Sequence, residues 1–198
     1  MSVTTSPTIA NPAIRVIHGE ELPVAGTYAL DASHSEVGFA ARHLMVSKVR
    51  GRFSDVAGTI EIAENPLESS VSVTIETTSI DTRDEQRDGH LRSDDFFGVE
   101  SYPTITYVSR SVRPAGKGRY AVEGDLTIKG VSQPVPLDLT FEGGATDPWG
   151  GVRIGFAARA EIDREAFGLT WNQALETGGV LVGKKIAIEI EAEAVRQS

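Results

Sequence analysis

The sequence predicts an all-β domain: an antiparallel β-barrel of about eight strands with a short helical insertion near residues 84–97. Three observations carry this. Beyond residue 26, apolar and polar residues alternate with period two, as in antiparallel strands that have one dry and one wet face. The 20 glycines and 9 prolines cut this alternation into runs at hairpin spacing. Asp81–Phe97, reading DTRDEQRDGHLRSDDFF, departs from it most plainly, being dense in charge and closing on two Phe residues. A sheet with one dry face must close on itself or stack on a second sheet. Small residues recur on the dry face (Ala41, Gly51, Gly58, Gly124, Ala158, Ala160) and favour a barrel with space inside. About eight strands is the size at which a barrel holds one small ligand.

Residues 1–25 carry Pro7, Pro12 and Pro23 among Ser and Thr and read as an irregular N-terminal tail. Within it Ala13–Ile17 is apolar enough to pack as an added strand. Residues 26–198 form the single barrel domain. Thr27–Asp31 is a short strand. Glu36–Arg42 places Val37, Phe39 and Ala41 on one face, and His43–Ser47 breaks the alternation as a helical turn would. The pattern resumes at Lys48–Phe53 and runs through Val56, Gly58, Ile60 and Ile62 to the Asn65-Pro66 turn. Ser69–Ile80 sets Val71, Val73 and Ile75 against Ser72, Thr74 and Glu76. In the charged island, Asp88 and Arg92 are spaced for an i, i+4 helical pair. Pro103–Arg110, Tyr120–Lys129 and Pro134–Glu142 follow as strands. Residues 152–163 alternate most cleanly, and Lys185–Val195 sets Ile186, Ile188 and Ile190 against Glu189, Glu191 and Glu193.

Composition removes several functions. A net charge of -9 and a pI near 5.0 argue against a nucleic-acid partner, whose phosphates need a basic face. With no cysteine there is no disulfide, thiolate nucleophile or Cys-based zinc site. No secretory pattern opens the chain, and no run approaches the ~18 apolar residues of a membrane span, so a cytoplasmic protein without stable membrane insertion is expected.

Catalytic signatures are sparse. Gly178-x-x-x-x-Gly183-Lys184 begins like a phosphate-binding loop, but Lys185 stands where Ser or Thr would hold magnesium, and a strand pattern follows instead of a helix. His18, His34, His43 and His90 lack the spacing of a helical zinc pair. His34-Ser35 is not a triad, and there is no nucleophile elbow. Neither a metal nor a cofactor is expected.

Several stretches, in order and spacing, resemble the YceI-like polyisoprenoid-binding proteins over residues 26–195. They are Asp31-x-x-His34-Ser35-x-Val37-x-Phe39, Arg42-His43, Gly51-x-Phe53, Gly58-x-Ile60, Arg87-Asp88-x-His90-Leu91-x-Ser93-x-Asp95-Phe96-Phe97 and Tyr102-Pro103-x-Ile105. Gly124-Asp125-Leu126-Thr127-Ile128-x-Gly130 and Arg164-x-x-Phe167-Gly168 complete the set. The resemblance implies a lipocalin-like barrel that binds a long apolar lipid: a polyisoprenoid, an isoprenoid quinone or a fatty-acid derivative. With the alternation, it implies a lining of Phe39, Ala41, Phe53, Ile75, Leu126, Phe141, Ile154, Phe156 and Ala158, with Phe96, Phe97, Phe167 and Trp171 nearer the mouth. His34, His43, Arg87, Asp88 and His90 would form a polar collar there. A homodimer would suit exposed sheet edges or barrel mouths. Two other readings stand beside this one. One is an enzyme acting on such a lipid through His34, His43 or His90; the other is a stress-associated structural protein with a filled barrel.

Overall fold

The computed structural model describes residues 11–44, 46–174 and 179–197. A two-stranded hairpin comes first, β1 (Ile14–Ile17) and β2 (Glu20–Pro23). Then follow β3 (Gly26–Leu30), β4 (Glu36–His43), β5 (Ser47–Phe53), β6 (Val56–Ile62), β7 (Ser70–Glu76) and β8 (Ile80–Asp81). After helix α1 (Glu85–Arg92) come β9 (Thr104–Gly116), β10 (Arg119–Ile128), β11 (Val131–Thr146), β12 (Val152–Asp163) and β13 (Val182–Arg196).

The strands close into one up-and-down barrel. β3 with β4, β5 with β6, and β7 with β8 are halves of three kinked strands, so eight strands circle the barrel. β13 closes the ring, pairing β12 on one side and both β3 and β4 on the other. The three kinks lie side by side. Val37 pairs with Phe53 and Phe53 with Ile80 on one side of the line; Ala29 pairs with Thr59 and Val56 with Ile75 on the other. Each break leaves backbone groups that need new partners. The Ser35 hydroxyl takes over for a ladder bond, donating to Glu193 O and accepting from Glu193 N. Buried Thr77 does the same at the third break, its hydroxyl donating to Tyr102 O and Pro103 O. Closure also removes most of the free sheet edge on which the homodimer expectation partly rested.

Helix α1 fills the wall beyond β8. Asp84 caps it by accepting from Arg87 N at 3.0 Å, with Glu85 in its first turn and His90 and Arg92 in its last.

The structure corrects four expectations. Residues 1–10 lie outside the described residues, but the rest of the supposed tail is ordered as the β1–β2 hairpin. His18 and Gly19, with φ of 52° and 81°, make the tight two-residue turn that suits strand twist. The helical turn expected at His43–Ser47 falls partly outside the described residues, and those described there show no helix. β4 runs to His43 and β5 starts at Ser47, with Leu44 at φ 51°. Asp88 does not pair with Arg92. It is buried and accepts from Thr82 N and Oγ1, while Arg92 donates to Thr78 O and Ile80 O. Finally, two of the inward glycines do not leave empty space. A Cβ on Gly51 would lie 2.4 Å from the Phe39 ring, and one on Gly124 would lie 2.4 Å from Tyr107. They are small because aromatic rings from neighbouring strands lie across them.

Candidate functional site

Inside the barrel is a cavity of about 300 Å3, lined almost wholly by apolar side chains. That is near the lower end of ligand pockets, ~300–1,000 Å3. It runs between two differently built ends. At the helix end its wall includes Leu91, Phe96, Phe97, Leu169 and Val182; at the hairpin end it includes Arg15, Leu22, Pro23, Pro66 and Tyr120.

Of the lining inferred from the sequence, Phe39, Ala41, Phe53, Ile75, Phe96, Phe97, Leu126, Phe141, Phe156 and Ala158 border this cavity. Their convergence follows from alternation: each is on the inner face of its strand, or on the turn after α1. Three others lie elsewhere. Ile154 is buried in a packed cluster with Tyr28, Ile62, Phe156 and Ala194. Phe167 is 1% exposed in the main core, below the wall surface. Trp171 is half-buried against His90 and Phe96, ring centres 4.6 and 5.3 Å away.

The five residues expected as a polar collar are not gathered at a mouth. Asp88 is tied to Thr82, and Arg87 donates to Thr82 Oγ1 and Thr82 O. These bonds hold the 82–84 segment onto α1. His90 bonds Asp95 at 2.9 Å and packs edge-on against Trp171. His43 ends β4 away from the cavity wall. His34 is on the outer surface at the first kink, its Nδ1 3.0 Å from Asp31 Oδ2.

Around His34 the fold assembles a charge cluster that sequence reasoning did not find. Asp31, His34 and Glu193 bring donor atoms within 4.8 Å of one another. Arg153 enters the same cluster, its Nη1 2.7 Å from Asp31 and 2.5 Å from Glu193, with Nε 2.9 Å from Asp147. A guanidinium therefore already supplies the cation these carboxylates need. Hydrogen bonds from Ser33, Arg153 and His34 hold Asp31 far below the usual carboxylate range, and Arg153 with the Gly151 N–H lowers Asp147. The three acids, Asp31, Asp147 and Glu193, come from separate points of the chain, so only the closed barrel brings them together.

The few polar groups on the cavity wall are mostly committed. Tyr107 donates to Val122 O and Val135 O, and burial, with Glu123 adding, pushes its hydroxyl up to about 12. Arg164, 3% exposed, donates to the carbonyls of Leu169, Trp171 and Gly183. Burial lowers its pKa, yet the guanidinium stays charged and is held by backbone dipoles. Such a wall gives apolar matter a dry enclosure.

A closed eight-stranded up-and-down barrel around an apolar cavity defines the lipocalin-like class of small-molecule-enclosing barrels. Within it, this chain belongs to the YceI-like domain family, whose profile matches residues 28–194. It is 40% identical over 168 residues to a UPF0312 protein of Staphylococcus aureus (strain USA300), covering 84% of this chain and 95% of that one. A UPF0312 protein of Staphylococcus epidermidis (strain ATCC 12228 / FDA PCI 1200) is as similar, at 40% over 168 residues with the same coverage. Among solved structures, the Campylobacter jejuni YceI protein superposes with a TM-score of 0.68 at 31% identity, covering 79% of this chain and 90% of that chain. Burkholderia cenocepacia BcnA shares the fold with a TM-score of 0.73 at 24% identity over 83% of this chain and 98% of that one. So does a domain from Saccharophagus degradans described as polyisoprenoid binding and implicated in plant cell wall breakdown. Its TM-score is 0.66 at 17% identity, over 86% of this chain and 98% of that domain.

Proposed function

We propose that this protein binds one long-chain apolar lipid of isoprenoid type inside the barrel and carries or sequesters it without chemical change. The observation that supports this most is the cavity: about 300 Å3, apolar along its wall, and running between the two ends of the barrel. Each methylene moved from water into such a space contributes ~0.8 kcal/mol, so a long chain binds tightly without a charged anchor. The family and the polyisoprenoid-binding description of a neighbour with the same fold support the same ligand class. A catalytic role is disfavoured by the histidines, since His34, His43 and His90 are absent from the cavity wall. The test is gentle purification, organic extraction and mass spectrometry, with added isoprenoid as a second arm. A co-purifying or captured isoprenoid lipid is expected. Repeated absence of both would sink the proposal.

A further inference from the structure

The polar side chains of the cavity wall are unevenly distributed. At the helix end, Arg164 is the charged one, and backbone carbonyls hold it. Midway, the Ser35 hydroxyl is spent on Glu193 and the Tyr107 hydroxyl on two carbonyls. The hairpin end differs. Tyr120 is the first inward residue of β10, and among the described residues its hydroxyl has no hydrogen-bond partner. Arg15 donates from Nε to Pro23 O at 2.9 Å, from Nη1 to Glu64 at 2.8 Å and from Nη2 to Ala63 O at 2.5 Å. A guanidinium has five N–H groups, so some donor capacity remains. Both residues border the cavity.

The charge around them narrows what they would receive. Glu64 already offsets Arg15, and Glu20, on the same hairpin, is near enough to Tyr120 to bear on its ionisation. An anionic group brought here would face both carboxylates, whereas a neutral acceptor would not. Building on the lipid-binding reading above, we propose that the polar head of the enclosed lipid sits under the β1–β2 hairpin. There Tyr120 and Arg15 donate to a neutral, carbonyl-bearing head, and the chain extends toward Phe96 and Phe97. The hairpin precedes the family-matched residues 28–194, so Arg15 is a head-group contact from this chain's own N-terminal segment.

The experiment measures the affinity of the full chain for three probes of equal prenyl length: a hydrocarbon, a methyl ketone and a monophosphate. The expected order places the ketone tightest. Tyr120→Phe and Arg15→Gln should each cut the ketone-to-hydrocarbon affinity ratio about fivefold, the scale of one hydrogen bond. Arg87→Gln, at the helix end, should leave that ratio alone. Melting curves check that each variant folds, and Arg15→Lys, which keeps the charge, should recover part of the ratio. A ratio unmoved in both hairpin-end variants, or moved by Arg87→Gln alone, would overturn the head placement. Tightest binding of the monophosphate would overturn the neutral head. Failure of the wild type to bind any probe would instead remove the lipid-binding reading, and this inference with it.

Discussion

The barrel is finished off by different means at its two ends. At the helix end, α1 is fastened by buried or half-buried polar bonds, Asp88 to Thr82, Arg87 to Thr82 and Arg92 to Ile80 O, and by an exposed one from Arg92 to Thr78 O. Lys129 adds a bond to Asp94 O. At the hairpin end, among the described residues, β1 and β2 pair with each other and with no barrel strand. Their ties to the barrel are mainly the Arg15 bonds, the Asn11 side chain on Gly144 O, and apolar contact by Ala13 and Leu22. The helix end lies within the family-matched residues, and the hairpin precedes them. One end is thus built into the sheet and the other is laid across it. Loosening the first should cost global stability, and loosening the second should mainly change access to the cavity.

Substitutions at the two ends sharpen that contrast. The largest effect is expected from Phe96→Ala together with Phe97→Ala. Phe96 is 7% exposed and Phe97 meets Phe53 edge to face, ring centres 5.8 Å apart. Loss of the Phe96 ring alone should cost ~3 kcal/mol in denaturant unfolding and speed lipid release, with far-ultraviolet dichroism keeping its β signature. Unchanged stability and release would remove the helix end as a closure. Asp88→Ala comes next, at ~2 kcal/mol, because it strands the Thr82 N–H and hydroxyl in a buried place. A cost near zero would mean that α1 is not fastened by this bond. Leu22→Ala, at a side chain just as buried, should cost under ~1 kcal/mol globally, since the hairpin can lift without unfolding the barrel. Hydrogen exchange should then quicken in β1 and β2 and stay slow in α1. Equal quickening at both ends would break the contrast.

The smallest expected effect is in acid. Asp31 and Asp147 have folded pKa values depressed by their hydrogen bonds, to Ser33 and Arg153 above all. A depressed carboxylate contributes stability that is fully present above its unfolded value, ~4, and lost as pH falls through its folded value. The melting temperature of the wild type should therefore exceed that of Arg153→Met near neutrality, and the gap should shrink below pH ~4. A gap constant with pH would show that the cluster contributes by packing alone.

Alternation made most of the barrel legible, because a half-buried antiparallel strand has to alternate. β12 spans residues 152–163, as its pattern reads, and β10 and β13 agree to within a few residues. Ala13–Ile17 reads as an added strand and β1 bears that out, but its partner β2 and the turn between them are missed for a physical cause. The turn is His18-Gly19, and a His at positive φ lacks the Asn-Gly or Asp-Gly signature that marks such turns. Without the pairing, nothing in the sequence places Arg15 at the cavity. The collar failed for another reason: alternation gives the face of a residue but not its height along the barrel. Height depends on pairing register and on three aligned kinks, which no local pattern reveals. His34 and His43 are nine residues apart along a kinked strand, an extended reach of roughly 30 Å. Asp88 and Arg87 do not serve as collar residues because their partner, Thr82, precedes the helix and meets them only after the chain turns.

Whether the cavity holds the lipid is tested most directly by filling it. Ala158 borders the cavity from β12 and is 5% exposed, so Ala158→Phe places a ring in the space. Native mass spectrometry of the full chain incubated with a prenyl ketone should show one lipid per wild-type chain and none on the filled, still folded variant. An adduct that persists in the variant, or none on the wild type, would contradict the assignment of the barrel interior as the binding site.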